Sequence, residues 1–140
     1  MGPSPQPWVT SVTIDGDKFG AQSVSVGFST LSNPVGAPLM GTFHTSIEVV
    51  VDIHDDQNMP FAMLRKLFDL AKIVTRDKIK GIKIEFWKDE HRQDVVCSYS
   101  FQGWISHFQT HSSGDGNHTL IMSLQPTLDP QSYPVIDMSN

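Results

Sequence analysis

Cysteine is almost absent: Cys97 stands alone in 140 residues, so no disulfide can form within the chain. It lies in a strand-like run, where a small buried thiol is the ordinary reading, and that usage fits a reducing compartment. Long hydrophobic runs are missing too, and none approaches the roughly 20 apolar residues needed to span a bilayer. The opening MGPSPQPW carries neither a charged nor an apolar secretory region, so export, if it occurs, is expected to use a route other than a Sec signal. Charge is sparse at 18%, with 15 carboxylates against 10 lysines and arginines and a net charge of −5. A pI near 5.5 leaves no basic stripe along the whole chain for nucleic-acid phosphates. Glycine-rich phosphate loops, nucleophile elbows and zinc-ligand spacings are also lacking.

The length fits one domain able to bury a core without staples. It divides into a loose Pro-rich arm (residues 1–7), a folded body, and an extended tail from 129 to 140 bearing Pro130 and Pro134. One stretch has helical period. In NMPFAMLRKLFDLAK (58–72), Phe61, Leu64, Leu67, Phe68 and Ala71 recur at spacings of three and four, which predicts an apolar stripe facing the core. Arg65, Lys66, Asp69 and Lys72 fall on the wet side. Asn58 is the expected N-cap, Pro60 suits a first turn, and Asp55 and Asp56 suit the positive end of the helix dipole.

On both sides of the helix the period drops to two. Val12 and Ile14 alternate with polar neighbours up to the turn Asp15-Gly16-Asp17, whose partner strand is expected at Gln22–Ser29. In that strand Val24, Val26 and Phe28 oppose an uncharged face of Ser23, Ser25, Gly27 and Ser29. Eleven residues from Phe43 to Ile53 alternate strictly, with Phe43, Thr45, Ile47, Val49, Val51 and Ile53 on one side. Further strands are expected at Ile82–Trp87, Val95–Gln102, Trp104–Thr110 and His118–Gln125, with a bulge or bend at Gly103 and hairpin tips at Lys88–Asp94 and Ser112–Asn117. The class is α+β, mostly β: an antiparallel barrel or sandwich of about seven strands with one α-helix. Between the second and third strands, TLSNPVGAPLMG (30–41) is too apolar for a free loop through Leu31, Val35, Leu39 and Met40. It either contacts another molecule or folds back over its own sheet edge.

Candidate chemistry is thin. His107 and His111 stand four apart, but on a strand that separates the rings by roughly 13 Å, too far for one ion. His44, His54, His91 and His118 have no partner at ligand spacing. Asp52-x-His54-x-Asp56-x-Asn58 resembles a calcium loop only faintly, with Gln57 where glycine is needed and Met63 at the twelfth position. Asp89, Glu90 and Asp94 sit on a solvated hairpin tip, which supplies no desolvation to raise a carboxylate pKa. No catalysis, metal or cofactor is expected.

In their order the elements resemble the haemolysin-coregulated protein family, the inner-tube subunit of type VI secretion systems, and more widely the tail-tube proteins of contractile injection machines. The pieces are Ile14-Asp15-Gly16 closing the first strand, Ser23–Phe28, the excursion Ser29–Gly41, and the strand from Thr42-Phe43-His44 through Val51-Asp52. The helix with Leu64, Leu67 and Phe68 follows, then Gly81-Ile82-Lys83-Ile84-Glu85-Phe86-Trp87-Lys88, Phe101–Phe108, and Gly116-Asn117-His118 through Leu124. The resemblance implies a structural subunit, six copies of which close into a ring, with rings stacked into a hollow tube. It implies sheath, baseplate or spike, and effector proteins as partners, with assembly in the bacterial cytoplasm before secretion or incorporation in a phage virion. The excursion Leu31, Val35, Leu39 and Met40 would reach a neighbouring subunit, and Ser23, Ser25 and Ser29 would face the lumen. A compact excursion and a Pro-containing tail leave secretion, phage and extracellular injection tubes all open. The alternative from another class is a monomeric β-barrel holding a small apolar ligand in its mouth.

Overall fold

The computed structural model describes residues 8–29, 35–36, 44–73, 75–128 and 135–140. The arm at residues 1–7, and Leu31, Leu39 and Met40 of the excursion, lie outside this set. Among the described residues eight strands and one α-helix are formed in the order β1 (Thr10–Ile14), β2 (Asp17–Ala21), β3 (Ser23–Ser29), β4 (His44–Asp52), α1 (Phe61–Lys72), β5 (Lys80–Trp87), β6 (Val95–Ser112), β7 (His118–Pro126) and β8 (Asp137–Ser139). A 3-10 turn, Arg76–Lys78, joins α1 to β5.

The strands make one antiparallel sheet ordered β2-β1-β5-β6-β7-β4-β3, with β8 added on β6. Its two outermost members, β2 and β3, are consecutive in the chain and separated only by Gln22. The Gln22 N–H donates to the Val50 carbonyl of β4 at 2.8 Å, so the chain bends there and leaves β1 for β4. The two ends of the sheet therefore meet at Gln22 and the sheet curls into a barrel, with no ladder joining β2 to β3 among the described residues.

This corrects the expected first hairpin. The partner of β1 is Asp17–Ala21, not Gln22–Ser29; Ser23–Ser29 pairs with β4. The turn itself is as the dipeptide demands, with Asp15 at φ 52° and Gly16 at φ 84°, the two positive values of a type I′ turn. The tail also differs from expectation: residues 137–139 are a strand, with Tyr99 opposite Met138 and the Ser98 and Ser139 hydroxyls 2.9 Å apart.

Strand β6 is long because it serves two neighbours. Val95–Gly103 pairs with β5 and Gly103–Ser112 with β7, and a register shift between Ile105 and His107 bends it. Gly103 sits at the changeover, not at the bulge. A Cβ there would lie 2.4 Å from the Gln125 carbonyl oxygen and 2.8 Å from the Phe101 ring. The inward positions fill the barrel: Val12, Ile14, Phe19, Ile47, Val49, Val51, Ile82, Ile84, Phe101, Ile105, Leu120, Met122 and Leu124 are all buried in one cluster.

The helix closes this cluster, turned from the expected orientation. Leu67 and Leu70 are buried, Met63, Leu64 and Ala71 are half-buried, and Met59 just before the helix is buried. The expected core residues Phe61 and Phe68 instead stand outward, 75% and 41% exposed. Anchors before and beside the helix set this rotation. Asn58 does not cap α1, whose N-cap is Pro60 without a side-chain bond. Its amide instead pairs with Gly20 of β2, accepting from Gly20 N–H at 2.7 Å and donating to the Gly20 carbonyl at 2.8 Å. Asp55 closes the turn ahead of the helix by accepting from the N–H groups of Gln57 and Asn58. Lys66 reaches the β1–β2 turn, binding Asp17 and, at 3.2 Å, Asp15.

Candidate functional surfaces

Residues directly opposite on antiparallel strands share a face. The serines of β3 can therefore be extended across the barrel wall by register. Ser25 is opposite Glu48, Glu48 opposite Ser123, and Ser123 opposite His107. Gly27 is opposite Ser46, and Gln125 opposite Trp104, on the next row toward one end. Toward the other end Ser23 is opposite Val50, Val50 opposite Ile121, and Ile121 opposite Gln109. Ser23, Ser25 and Ser29 are all exposed. The result is a wide, mostly polar outer face of β3–β4–β7–β6 in which Val50, Ile121 and Trp104 are half-buried.

Its hydrogen bonds are short-range. At the β6 bulge the Ser106 hydroxyl donates to the Ser123 carbonyl at 3.2 Å, and His107 Nε2 meets Gln109 Oε1 at 3.1 Å. The face is less neutral than β3 alone implies, because the neighbouring strands bring in Glu48 and His107. Strand alternation identified the serines; only the pairing of β3 with β4, rather than β1, adds the carboxylate.

The second expected surface is the excursion between β3 and β4. Of its four apolar residues only Val35 is among those described, and it is 88% exposed beside Gly36, whose φ is 88°. Where β3 ends, Phe28 stands 6.2 Å from the Tyr99 ring.

Two further clusters were hidden in the sequence. His54 and His118, far apart in the chain, come together with ring centroids 5.6 Å apart, because β4 runs beside β7 and Ile53 N–H donates to the His118 carbonyl. On the opposite wall Glu85 is buried between Lys18 at 3.3 Å and Lys83 at 3.9 Å, while the neighbouring Ser11 hydroxyl accepts from Trp87 Nε1 at 2.9 Å. Among the described residues no three His, Cys, Asp or Glu side chains gather as metal ligands, and no helix is long and apolar enough to cross a membrane. Cys97 is half-buried. The hairpin tip 88–94 is exposed but tied down: Arg92 folds back and donates to the Trp8 carbonyl from Nε at 3.2 Å and Nη2 at 2.8 Å.

No family model matches the chain, and no curated protein does. Solved structures do match, over nearly the whole chain. Hcp1 from Flavobacterium johnsoniae superposes with a TM-score of 0.66 at 14% identity, covering 94% of this chain and 95% of that one. A second Hcp protein gives 0.64 at 9% identity, covering 94% and 98%. A chain of the sheath–tube complex of the extracellular contractile injection system PVC gives 0.60 at 13% identity, covering 97% and 91%. The class of protein is thus defined by architecture: a mostly antiparallel barrel with one helix. In particular, the fold is the Hcp-like fold that also occurs in contractile injection systems.

Proposed function

We propose that this chain is a structural, non-catalytic subunit whose copies close into hexameric rings that stack as the inner tube of a type VI secretion or related contractile injection machine. The observation that carries this reading is the end-to-end match to Hcp proteins, which leaves almost none of either chain unmatched. The filled barrel interior supports it as well, since a ligand-holding barrel needs a cavity where Ile47, Ile84, Leu120, Met122 and Leu124 are packed.

On this reading the outer face carrying Ser23, Ser25 and Ser29 lines the lumen and offers effectors a mostly polar wall, interrupted by the half-buried Val50, Ile121 and Trp104. Leu31, Val35, Leu39 and Met40 bury themselves on the next subunit around the ring. That contact is heterologous, joining two different patches, and so closes rings where its rotation permits. Sheath, baseplate or spike, and effector proteins are the partners, and the subunit assembles in the bacterial cytoplasm before secretion or incorporation in a phage virion.

Size exclusion with light scattering, followed by negative-stain imaging, tests the proposal. A species near six times 15.6 kDa with a central hole is the expected result. A monomer of 15.6 kDa persisting at high concentration overturns it. Replacing Leu39 and Met40 by Ser is expected to return rings to folded monomers.

A further inference from the structure

The acidic net charge of this chain hides a strong segregation. Seven of the ten lysines and arginines lie between residues 65 and 83, a stretch whose only carboxylates are Asp69 and Asp77; the other thirteen carboxylates lie elsewhere. In the fold this stretch comprises most of α1, the 3-10 turn and the first half of β5.

Along α1 the residues Phe61, Arg65, Phe68 and Lys72 follow one another at spacings of four, three and four, which places them in a single line on the helix. They form the ridge opposite the buried Leu67 and Leu70. Arg65 and Lys72 lie 6.0 and 5.8 Å from the Phe68 ring, holding an exposed aromatic between two cations. A groove runs on each flank. One of about 390 Å³ lies toward the 3-10 turn and is lined by Arg65, Lys66, Lys78 and Lys80, four cations against the two carboxylates Asp69 and Asp77. The other, about 330 Å³, lies toward the β6 bulge and is lined by Phe68, Ala71 and Phe108.

We infer that this ridge docks a segment of a second, different protein: an acidic amphipathic helix. Its apolar side chains would seat against Phe61 and Phe68 while its carboxylates meet Arg65, Lys72 and the lysines across the groove. Charge complementarity selects the acid, and the exposed phenyl groups select a polypeptide carrying apolar anchors over a bare polyanion. Asp69 already pairs with Arg65 at 3.4 Å, so an incoming carboxylate shares that guanidinium with it. The exposed acidic hairpin tips of a second copy, KDEHRQD at 88–94 and SSGDGN at 112–117, carry no large apolar side chain to fill either groove. A lone subunit presents the ridge, so the inference stands apart from the tube proposal.

The test is fluorescence anisotropy with a labelled synthetic helix of about four turns, bearing Leu along one face and Glu along the other. Two controls replace Glu by Lys, or Leu by Ser. The Leu/Glu peptide is expected to bind and to weaken about tenfold or more with Arg65→Glu/Lys72→Glu, and several-fold with Phe61→Ser. Raising NaCl from about 50 to about 300 mM is expected to weaken it as well, because exposed charges are screened. Phe61→Ser alters a side chain three-quarters exposed, so its melting temperature should stay at the wild-type value and certify the fold. Equal binding of the Lys peptide, equal binding of the Ser peptide, or affinity indifferent to both variants overturns the inference. So does self-association that Arg65→Glu/Lys72→Glu abolishes, since the ridge would then belong to a second copy.

Discussion

The substitution Gly103→Ala isolates what the changeover in β6 requires. The added methyl would lie 2.4 Å from the Gln125 carbonyl oxygen and 2.8 Å from Phe101 Cε2. The first of these atoms belongs to the β7 backbone, which is held in ladders with both β4 and β6 and cannot swing aside like a side chain. Phe101 is buried in the barrel and has little room to retreat. Overpacking of this kind costs about 1–3 kcal/mol, and a backbone clash belongs at the upper end. Against this, alanine restricts the unfolded chain and returns about 0.4–1 kcal/mol. The expected net loss is about 2 kcal/mol, which moves the urea midpoint down by roughly 1 M at an m-value of about 2 kcal/mol/M. Gly81→Ala is the matched control: it lies on the paired strand β5, and its Cβ would meet only the mobile amide of Gln102, at 3.4 Å. Tryptophan fluorescence in urea follows both variants. A Gly103→Ala midpoint within about 0.2 M of wild type, or an equal fall for Gly81→Ala, would refute the steric reasoning.

Other expectations follow from the helix anchors. Asn58→Ala removes both bonds to the Gly20 backbone and is expected to cost about 1–3 kcal/mol in a urea titration, more than an exposed helix cap would. Leu67→Ala opens a cavity under α1 and should cost about 2–5 kcal/mol, whereas Phe61→Ala should stay within about 0.5 kcal/mol; reversal of that order would mean the helix is turned the other way. The hydrogen bond to Asp17, assisted by Asp15 and opposed by desolvation, holds the Lys66 ammonium above the usual lysine pKa. Because the folded pKa is the raised one, the stabilisation is complete below the unfolded lysine pKa and disappears as pH rises through the folded value. The excess stability of wild type over Lys66→Met, under about 1 kcal/mol for so exposed a pair, should therefore fall in melts as pH rises from the unfolded lysine pKa and vanish once pH exceeds the raised folded value. An excess unchanged at that pH would exclude the ion pair as its source.

Much of the local architecture was legible because it depends on near neighbours. The Asp15-Gly16 dipeptide implies a type I′ turn since both residues tolerate positive φ, and Asp-Gly is a preferred pair there. The alternation through β4 implies its buried face, and Thr45, Ile47, Val49 and Val51 are all buried. The helix at 61–72 is visible from apolar spacing, but its rotation is not. Phe61 and Phe68 outrank Leu70 in side-chain area, so hydrophobicity alone selects the wrong stripe. The choice is made by contacts with groups outside the helix, namely Asn58, just before it, on Gly20 and the β1–β2 turn that Lys66 reaches from within it.

The serine face divides in the same way. That Ser23, Ser25 and Ser29 share one side is a property of the strand's period of two, and the chain by itself determined it. That they share it with Glu48 and His107 was decided by which strands lie alongside. The same holds for the meeting of His54 with His118, which the pairing of β4 with β7 brings about. These are outcomes of strand pairing, and at Gln22 the chain itself passes from the β2 end of the sheet to its β3 end. Side-chain alternation is a local consequence of backbone geometry. Pairing between distant strands depends on how many apolar side chains the closed barrel can bury at once, a quantity that exists only in the assembled fold.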